Sequence, residues 1–243
     1  MKYAHKTDIG RRAHNEDSLY VPAQACTNPL VAVSDGMGGH AAGAEASKLI
    51  IEGLAEEFAT VRGEDLVSQL KRAIQRVNLE VYRAAQDVPE LRGMGATLVC
   101  AVVSDTRYIA ANVGDSRLYH FDGRGMAFVT TDHSYVQMLV EEGAITPEQA
   151  RTHPQRNLIT RAMGIGLRTD IDIFDRSWGE GDILLLCSDG LHGSVPEEDL
   201  VRILSQPISL DEMCDQLVQL ALENGATDNI SVVLARNEGG SCA

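Results

Sequence analysis

The sequence predicts an α+β fold in which two antiparallel sheets stack face to face and a pair of helices covers each outer face, a four-layer α/β/β/α sandwich. Two observations carry this expectation. Apolar residues recur at helical spacing over roughly 41–59 and 65–86, and two further helices with capping signals follow near 194–225. Between these blocks lie short consecutive strands joined by tight turns, which suit antiparallel pairing and not a doubly wound parallel sheet. Layers in the order helix, sheet, sheet, helix bury one face of every helix.

The elements follow from local patterns. Residues 3–9, 19–21 and 30–34 read as strands. Ala46, Leu49, Ile50, Leu54 and Phe58 form the stripe of the first helix, and Leu66, Leu70, Ala73, Ile74, Val77 and Val81 that of the second. Strands are expected at 96–104, 107–114, 117–121 and 126–130, with Asp122-Gly123 as a hairpin turn between the last two. From 132 to 164 the pattern is irregular and partly helical, with Gly143 as a helix stop and Thr146-Pro147-Glu148-Gln149 as a capped start. This stretch concentrates Arg151, His153, Arg156 and Arg161, and insertions of such length between strands commonly carry function. Strands return at 171–177 and 182–188. Ser194/Glu197 and Ser209/Glu212 fit capping boxes, Gly225 ends the last helix, and 229–235 closes the fold. No low-complexity linker divides the chain, so residues 1–243 are expected to form a single domain.

Composition narrows the function. The chain has 243 residues, 44% of them hydrophobic, and a formal charge of −14. So acidic a protein is a poor partner for nucleic acid or an anionic membrane, both of which demand cationic neutralisation. The five cysteines form no CxxC pair and suggest neither zinc nor a disulfide framework. No apolar run reaches the ~18 residues of a membrane span and the N-terminus has no apolar signal core, so a soluble, reduced, cytoplasmic protein is expected.

The acidic excess is concentrated in a telling way. Two apolar strands end in the same tripeptide, giving Asp35-Gly36 and Asp189-Gly190. Asp228 precedes the last strand, Asp17 precedes an early one, and Asp115 ends another. A single Asp-Gly is ordinary turn chemistry, as at Asp122-Gly123. Five aspartates at strand ends of one sandwich can instead share a rim, where carboxylates about 4 Å apart repel by about 4 kcal/mol at an effective dielectric of ~20. Cations or protons must neutralise them. An all-oxygen donor set selects Mg²⁺ or Mn²⁺, and a glycine such as Gly36 lets a backbone carbonyl approach an ion. Two such ions acidify a shared water and clamp the oxygens of a displacement. Arg12, five residues before Asp17, offers a guanidinium fork for a tetrahedral anion. The chemistry assembled is metal-assisted phosphoester hydrolysis.

RxxNED from Arg12 to Asp17, SDGMGGH around Asp35, GAT at 95–97, VGDSR at 113–117, CSDGL at 187–191 and TDN at 227–229 occur in this order. Together they resemble the metal-dependent protein phosphatases of the 2C type in their short bacterial form, over essentially the whole chain. The resemblance implies a phosphoserine/phosphothreonine phosphatase that opposes a Ser/Thr protein kinase through a metal-bridged hydroxide, working as a monomer. By the same resemblance Asp17, Asp35, the Gly36 carbonyl, Asp189 and Asp228 hold two Mn²⁺ or Mg²⁺ ions, Arg12 grips the phosphate, and Glu16 orients water behind them. Asp115 matches a third, weaker metal site. Residues 132–164 correspond to a flap, on which His153 and Arg161 are candidate substrate contacts. Two positions depart from the pattern: Met37 stands where many eukaryotic relatives carry a histidine, with His40 three residues on, and Gly193 stands where many members carry an aspartate.

Other readings fare worse. Gly36 to Ala41 fits a dinucleotide-binding GxGxxG/A pattern with Glu56 about twenty residues on, yet Asp35 would then face a pyrophosphate and a second helix follows instead of a parallel strand. GxSxG, the mark of a serine hydrolase, is absent. A non-catalytic phosphoprotein-binding regulator on the same fold is the alternative, but would be expected to have lost metal ligands, and all four principal aspartates and Arg12 are present.

Overall fold

A computed structural model describes residues 1–22, 29–60 and 65–239, leaving Cys26 and Cys242 outside the described residues. In chain order the strands are β1 (Lys2–Asp8), β2 (Asp17–Tyr20), β3 (Leu30–Met37), β4 (Gly95–Ala96), β5 (Leu98–Val103), β6 (Arg107–Val113), β7 (Arg117–Phe121), β8 (Met126–Phe128), β9 (Asp172–Ser177), β10 (Ile183–Cys187) and β11 (Ile230–Arg236). The helices are α1 (His40–Thr60), α2 (Leu66–Asp87), α3 (Tyr135–Glu141), α4 (Pro147–Arg151), α5 (Asp189–His192), α6 (Glu197–Leu204) and α7 (Leu210–Glu223).

One sheet runs β1-β11-β10-β7-β8, the other β2-β3-β5-β6-β9 with β4 added against β3, and every pairing is antiparallel. The expected four layers are present. Alternation along β3 shows how they form: Leu30 and Ala32 face α1 and α2, while Val31 and Val33 face the other sheet. β10 divides likewise, with Ile183, Leu185 and Cys187 toward α6 and α7 and Leu184 and Leu186 between the sheets. Being covered on both faces is why these strands read as unbroken apolar runs. Each fully buried aliphatic side chain in these layers contributes about 1.5–3 kcal/mol.

The 132–164 segment is irregular and partly helical, as expected. Thr146 and Gln149 form a reciprocal capping box on α4, and Gly143 turns the chain at φ 70°. Its ends are fastened by isolated bridges, Ser134 to Ile159 and Ala96 to Met163. Ser209 and Glu212 also cap α7 as expected. The Ser194/Glu197 box is corrected: α6 begins only at Glu197 with Pro196 as its cap and no capping side chain. The intervening residues are taken up by the short α5 and its exit, where the Ser194 carbonyl accepts from Asn224 Nδ2 at 2.9 Å.

Candidate metal centre

Five aspartates come together where the strands of both sheets run out. Asp17 opens β2 and stands directly opposite Asp35 in the β2–β3 ladder. Asp189 opens α5 immediately after β10, and Asp228 lies two residues before β11. Asp115 sits in the tight connection between β6 and β7. Their proximity is written in their acidities. Burial, followed by the charges of Asp17, Asp189, Asp115 and Asp228, pushes the Asp35 carboxyl well above the usual range. Asp189 is raised in the same way, by burial and then by Asp115, Asp228 and Asp17. Burial lifts Asp17 to about 6 against the hydrogen bond from Ser188, and lifts Asp115 to about 7 with help from the charge of Asp132.

Supporting bonds hold one of these carboxylates and the backbone of two others. Ser188 Oγ donates to Asp17 Oδ2 at 2.8 Å, tying β2 to the end of β10. The Asp35 backbone N–H donates to Thr97 Oγ1 at 3.0 Å, and Thr97 in turn meets Ser116 at 2.7 Å. The Asp115 carbonyl accepts from His192 Nε2 at 3.0 Å, and burial holds His192 neutral. Arg117 and Asp132 make a two-pronged pair beside this turn at 2.7–3.2 Å.

The donor set fits hard divalent cations. Asp17 Oδ1 and Asp189 Oδ1 are buried and without a hydrogen-bond partner among the described residues, which a buried carboxylate oxygen does not tolerate unless a cation or proton serves it. Among the described residues, no three His, Cys, Asp or Glu side chains close on a single point tightly enough to cage an ion between them.

The other expected residues divide. Gly36 sits in β3, and a Cβ there would fall 2.1 Å from the Gly43 carbonyl and 2.6 Å from that of Glu16, so helix α1 alone already demands glycine. The Glu16 side chain lies against α1, where a Cβ on Gly43 would meet its Oε2 at 2.2 Å. The Glu16 backbone links strands, its carbonyl accepting from Gly36 N at 3.1 Å and Ser47 Oγ at 2.6 Å. Arg12 reaches the rim, its Nη2 donating to Asp228 Oδ2 at 2.7 Å. His153 and Arg161 direct their contacts elsewhere. His153 packs against Tyr135 within the 132–164 segment and takes the Gln155 N–H on Nδ1. Arg161 bonds Asp172 at 3.0 Å beside His133, whose Nδ1 accepts from Gly114 N.

Several residues were within quoted motifs without being singled out. Ser188 is the serine of the second SDG, Thr97 the threonine of GAT, Ser116 the serine of VGDSR, and Asn229 the asparagine of TDN. Their recurrence beside aspartates was the available signal.

Comparison with known proteins shows the family and the fold. The family model of protein phosphatase 2C matches residues 6–235. The chain belongs to the protein phosphatase 2C family. It is 38% identical to the serine/threonine phosphatase stp of Listeria monocytogenes over 96% of this chain and 94% of that protein. The crystal structure of the serine/threonine phosphatase Stp1 from Staphylococcus aureus superposes with a TM-score of 0.92 at 39% identity, covering 98% and 95% of the two chains. The catalytic domain of the phosphatase PstP in complex with two manganese ions superposes with a TM-score of 0.85 at 38% identity over 97% of each chain.

Proposed function

We infer that this member of the protein phosphatase 2C family is a metal-dependent serine/threonine protein phosphatase, acting as one catalytic domain on phosphoserine and phosphothreonine of proteins. The observation that carries the reading is the rim of five aspartates, Asp115 buried and the other four partly so, with two orphaned carboxylate oxygens, set beside a guanidinium. Asp17, Asp35, Asp189 and Asp228, with the Gly36 carbonyl, would hold two Mn²⁺ or Mg²⁺ ions, and Asp115 would serve a third. When bound, such ions acidify water and act as Lewis acids toward the phosphoryl oxygens. The protein supplies the rest. Arg12 offers guanidinium N–H groups beyond the one on Asp228 to the equatorial oxygens of the phosphoryl group, whose charge shifts during transfer. Glu16 fixes the approach of β2 to β3 and α1 behind the carboxylates. Ser188 holds the Asp17 carboxylate, and Thr97 anchors the backbone of Asp35.

The reaction returns a phosphorylated protein to its hydroxyl form, so the enzyme works opposite a Ser/Thr protein kinase. No helix among the described residues is long and apolar enough to cross a membrane, and Cys100, Cys187 and Cys214 are buried free thiols. The free thiols suit the reducing cytoplasm, where we place the protein, and we propose that it acts there as a monomer.

The decisive assay is turnover of a phosphothreonine peptide and of p-nitrophenyl phosphate, in Mn²⁺ and in chelator, by the wild type and Asp189→Asn. Activity is expected only with Mn²⁺, and the substitution is expected to lower kcat/KM by roughly a thousandfold. Equal activity in chelator would refute the metal dependence. A well-folded wild type inert toward several phosphopeptides in Mn²⁺ would favour the non-catalytic regulator.

A further inference from the structure

The asparagine of the TDN motif performs a task that its neighbour Asp228 leaves open. Asn229 is buried, only 4% exposed, and its amide is fully committed to one loop. Oδ1 accepts from Glu16 N at 2.8 Å, and Nδ2 donates to the carbonyls of Ile9 at 2.9 Å and His14 at 3.0 Å. These three groups bracket the segment that carries Arg12. The Ile9 carbonyl also accepts from Arg12 N at 3.3 Å, so the Arg12 backbone and the Asn229 amide share an acceptor. The circuit closes through the side chains: Arg12 Nη2 bonds Asp228 Oδ2, and Asp228 Oδ1 accepts from Asn229 N at 2.8 Å. Gly10 completes the fit. It adopts φ 59°, and a Cβ there would lie 2.1 Å from the Asp228 carbonyl, so the turn rests directly on the backbone before Asn229.

We propose that Asn229 is a positioning residue for phosphate binding, holding the Ile9–Glu16 loop so that Arg12 faces the phosphoryl group. The inference rests on the phosphate-binding role of Arg12 given above. An amide is the side chain suited to this position. It presents two donors and one acceptor to two carbonyls and one N–H, whereas a carboxylate of the same shape would turn oxygens toward both carbonyls. Loss of the amide removes the three bonds that hold the loop and frees Arg12, which bridges the N-terminal loop to Asp228.

A double-mutant cycle on the Mn²⁺-loaded protein tests this, using wild type, Arg12→Ala, Asn229→Ala and the double variant. Inorganic phosphate binding is read by calorimetry, and kcat and KM on a phosphothreonine peptide. Arg12→Ala is expected to weaken phosphate binding roughly tenfold, the loss of a charge-assisted contact. Asn229→Ala should do nearly the same and raise KM in step. The double variant should be no more than about threefold weaker than either single one, because both remove a single interaction. Asn229→Ser is made in parallel, and circular dichroism with thermal melting establishes folding. Additive losses in the cycle, or unchanged phosphate affinity in the Asn229 variants, overturn the proposal while leaving the role of Arg12 intact. An Arg12→Ala variant with wild-type phosphate affinity overturns both. Failure of both Asn229 variants to fold overturns the proposal too, since a positioning role requires a folded protein.

Discussion

The two ends of the sandwich treat buried polar groups in opposite ways. At the end away from the aspartates, Asp182 Oδ2 accepts from both His120 Nε2 at 2.9 Å and Gly179 N at 2.7 Å. His120 Nδ1 meets the Tyr108 hydroxyl at 3.3 Å, Tyr108 stands edge-on to Trp178, and Trp178 Nε1 donates to the Ser104 carbonyl at 2.6 Å. Every acid in that group has a donor. At the other end Asp17, Asp35, Asp115 and Asp189 crowd one another, are driven toward protonation, and leave two oxygens unserved. The first end spends its polar groups on holding β6, β7 and the approach to β10 together. The second keeps them in reserve at a cost to the fold, which is how a binding site differs from a structural contact built of the same residue types.

The contrast can be broken most forcefully at Asp35. Asp35→Asn should reduce Mn²⁺-dependent turnover by roughly a thousandfold or more. In chelator the same substitution should stabilise the fold by about 1–2 kcal/mol, because it replaces a carboxyl that burial and four neighbouring acids penalise when charged with a neutral amide. Denaturant unfolding alongside phosphopeptide turnover reads both effects, and a destabilised variant would mean that the rim carries no repulsion.

A pH series in chelator sharpens the same point. Asp17 and Asp115 hold their protons up to about 6 and about 7 in the folded chain, against about 4 when unfolded. The folded chain therefore binds more protons across this window. Stability from these groups is full below about pH 4 and is lost as pH rises through 6 to 7, the total being a few kcal/mol. Melting temperatures of the metal-free protein should fall from pH 5 to pH 8, and excess Mn²⁺ should flatten the trend by replacing protons as counterion. The smallest effect belongs to the opposite end. Asp182→Ala, which strands His120 and Gly179 N, should cost about 2 kcal/mol of stability and leave kcat and KM unchanged.

The layers and most helices were legible because they rest on local periodicity. The apolar stripes of α1 and α2, the capping boxes of α4 and α7, and the runs of β5, β6 and β10 each announce themselves within a dozen residues. Strand order does not, since pairing β1 with β11 joins residues at opposite ends of the sequence and leaves no periodic trace. The false capping box at Ser194 has a local cause: α5 is one turn long, too short to show a helical period, and Pro196 takes over the cap of α6. At the site, the aspartates were legible through repetition of Asp beside strand ends. Arg161 was not, because its charge is directed by Asp172, whose position depends on β9 lying beside β6. Asn229 escaped notice for a similar reason, its partners lying more than two hundred residues earlier.

The placement of β1 has a consequence for how the protein comes into being. β1 is an edge strand whose one ladder among the described residues is with β11, Lys2 opposite Arg236. During synthesis the first strand emerges before any partner exists and has none until the last strand is made. Arg12 and Glu16 ride on the loop that follows it, and Asp228 and Asn229 immediately precede the strand it awaits. A ribosome-bound chain that has completed β10 and α5 already owns Asp17, Asp35, Asp115 and Asp189, yet cannot bring Arg12 to them. Closing so distant a pair is slow, and the loop that carries Arg12 meets Asp228 only as β1 and β11 join.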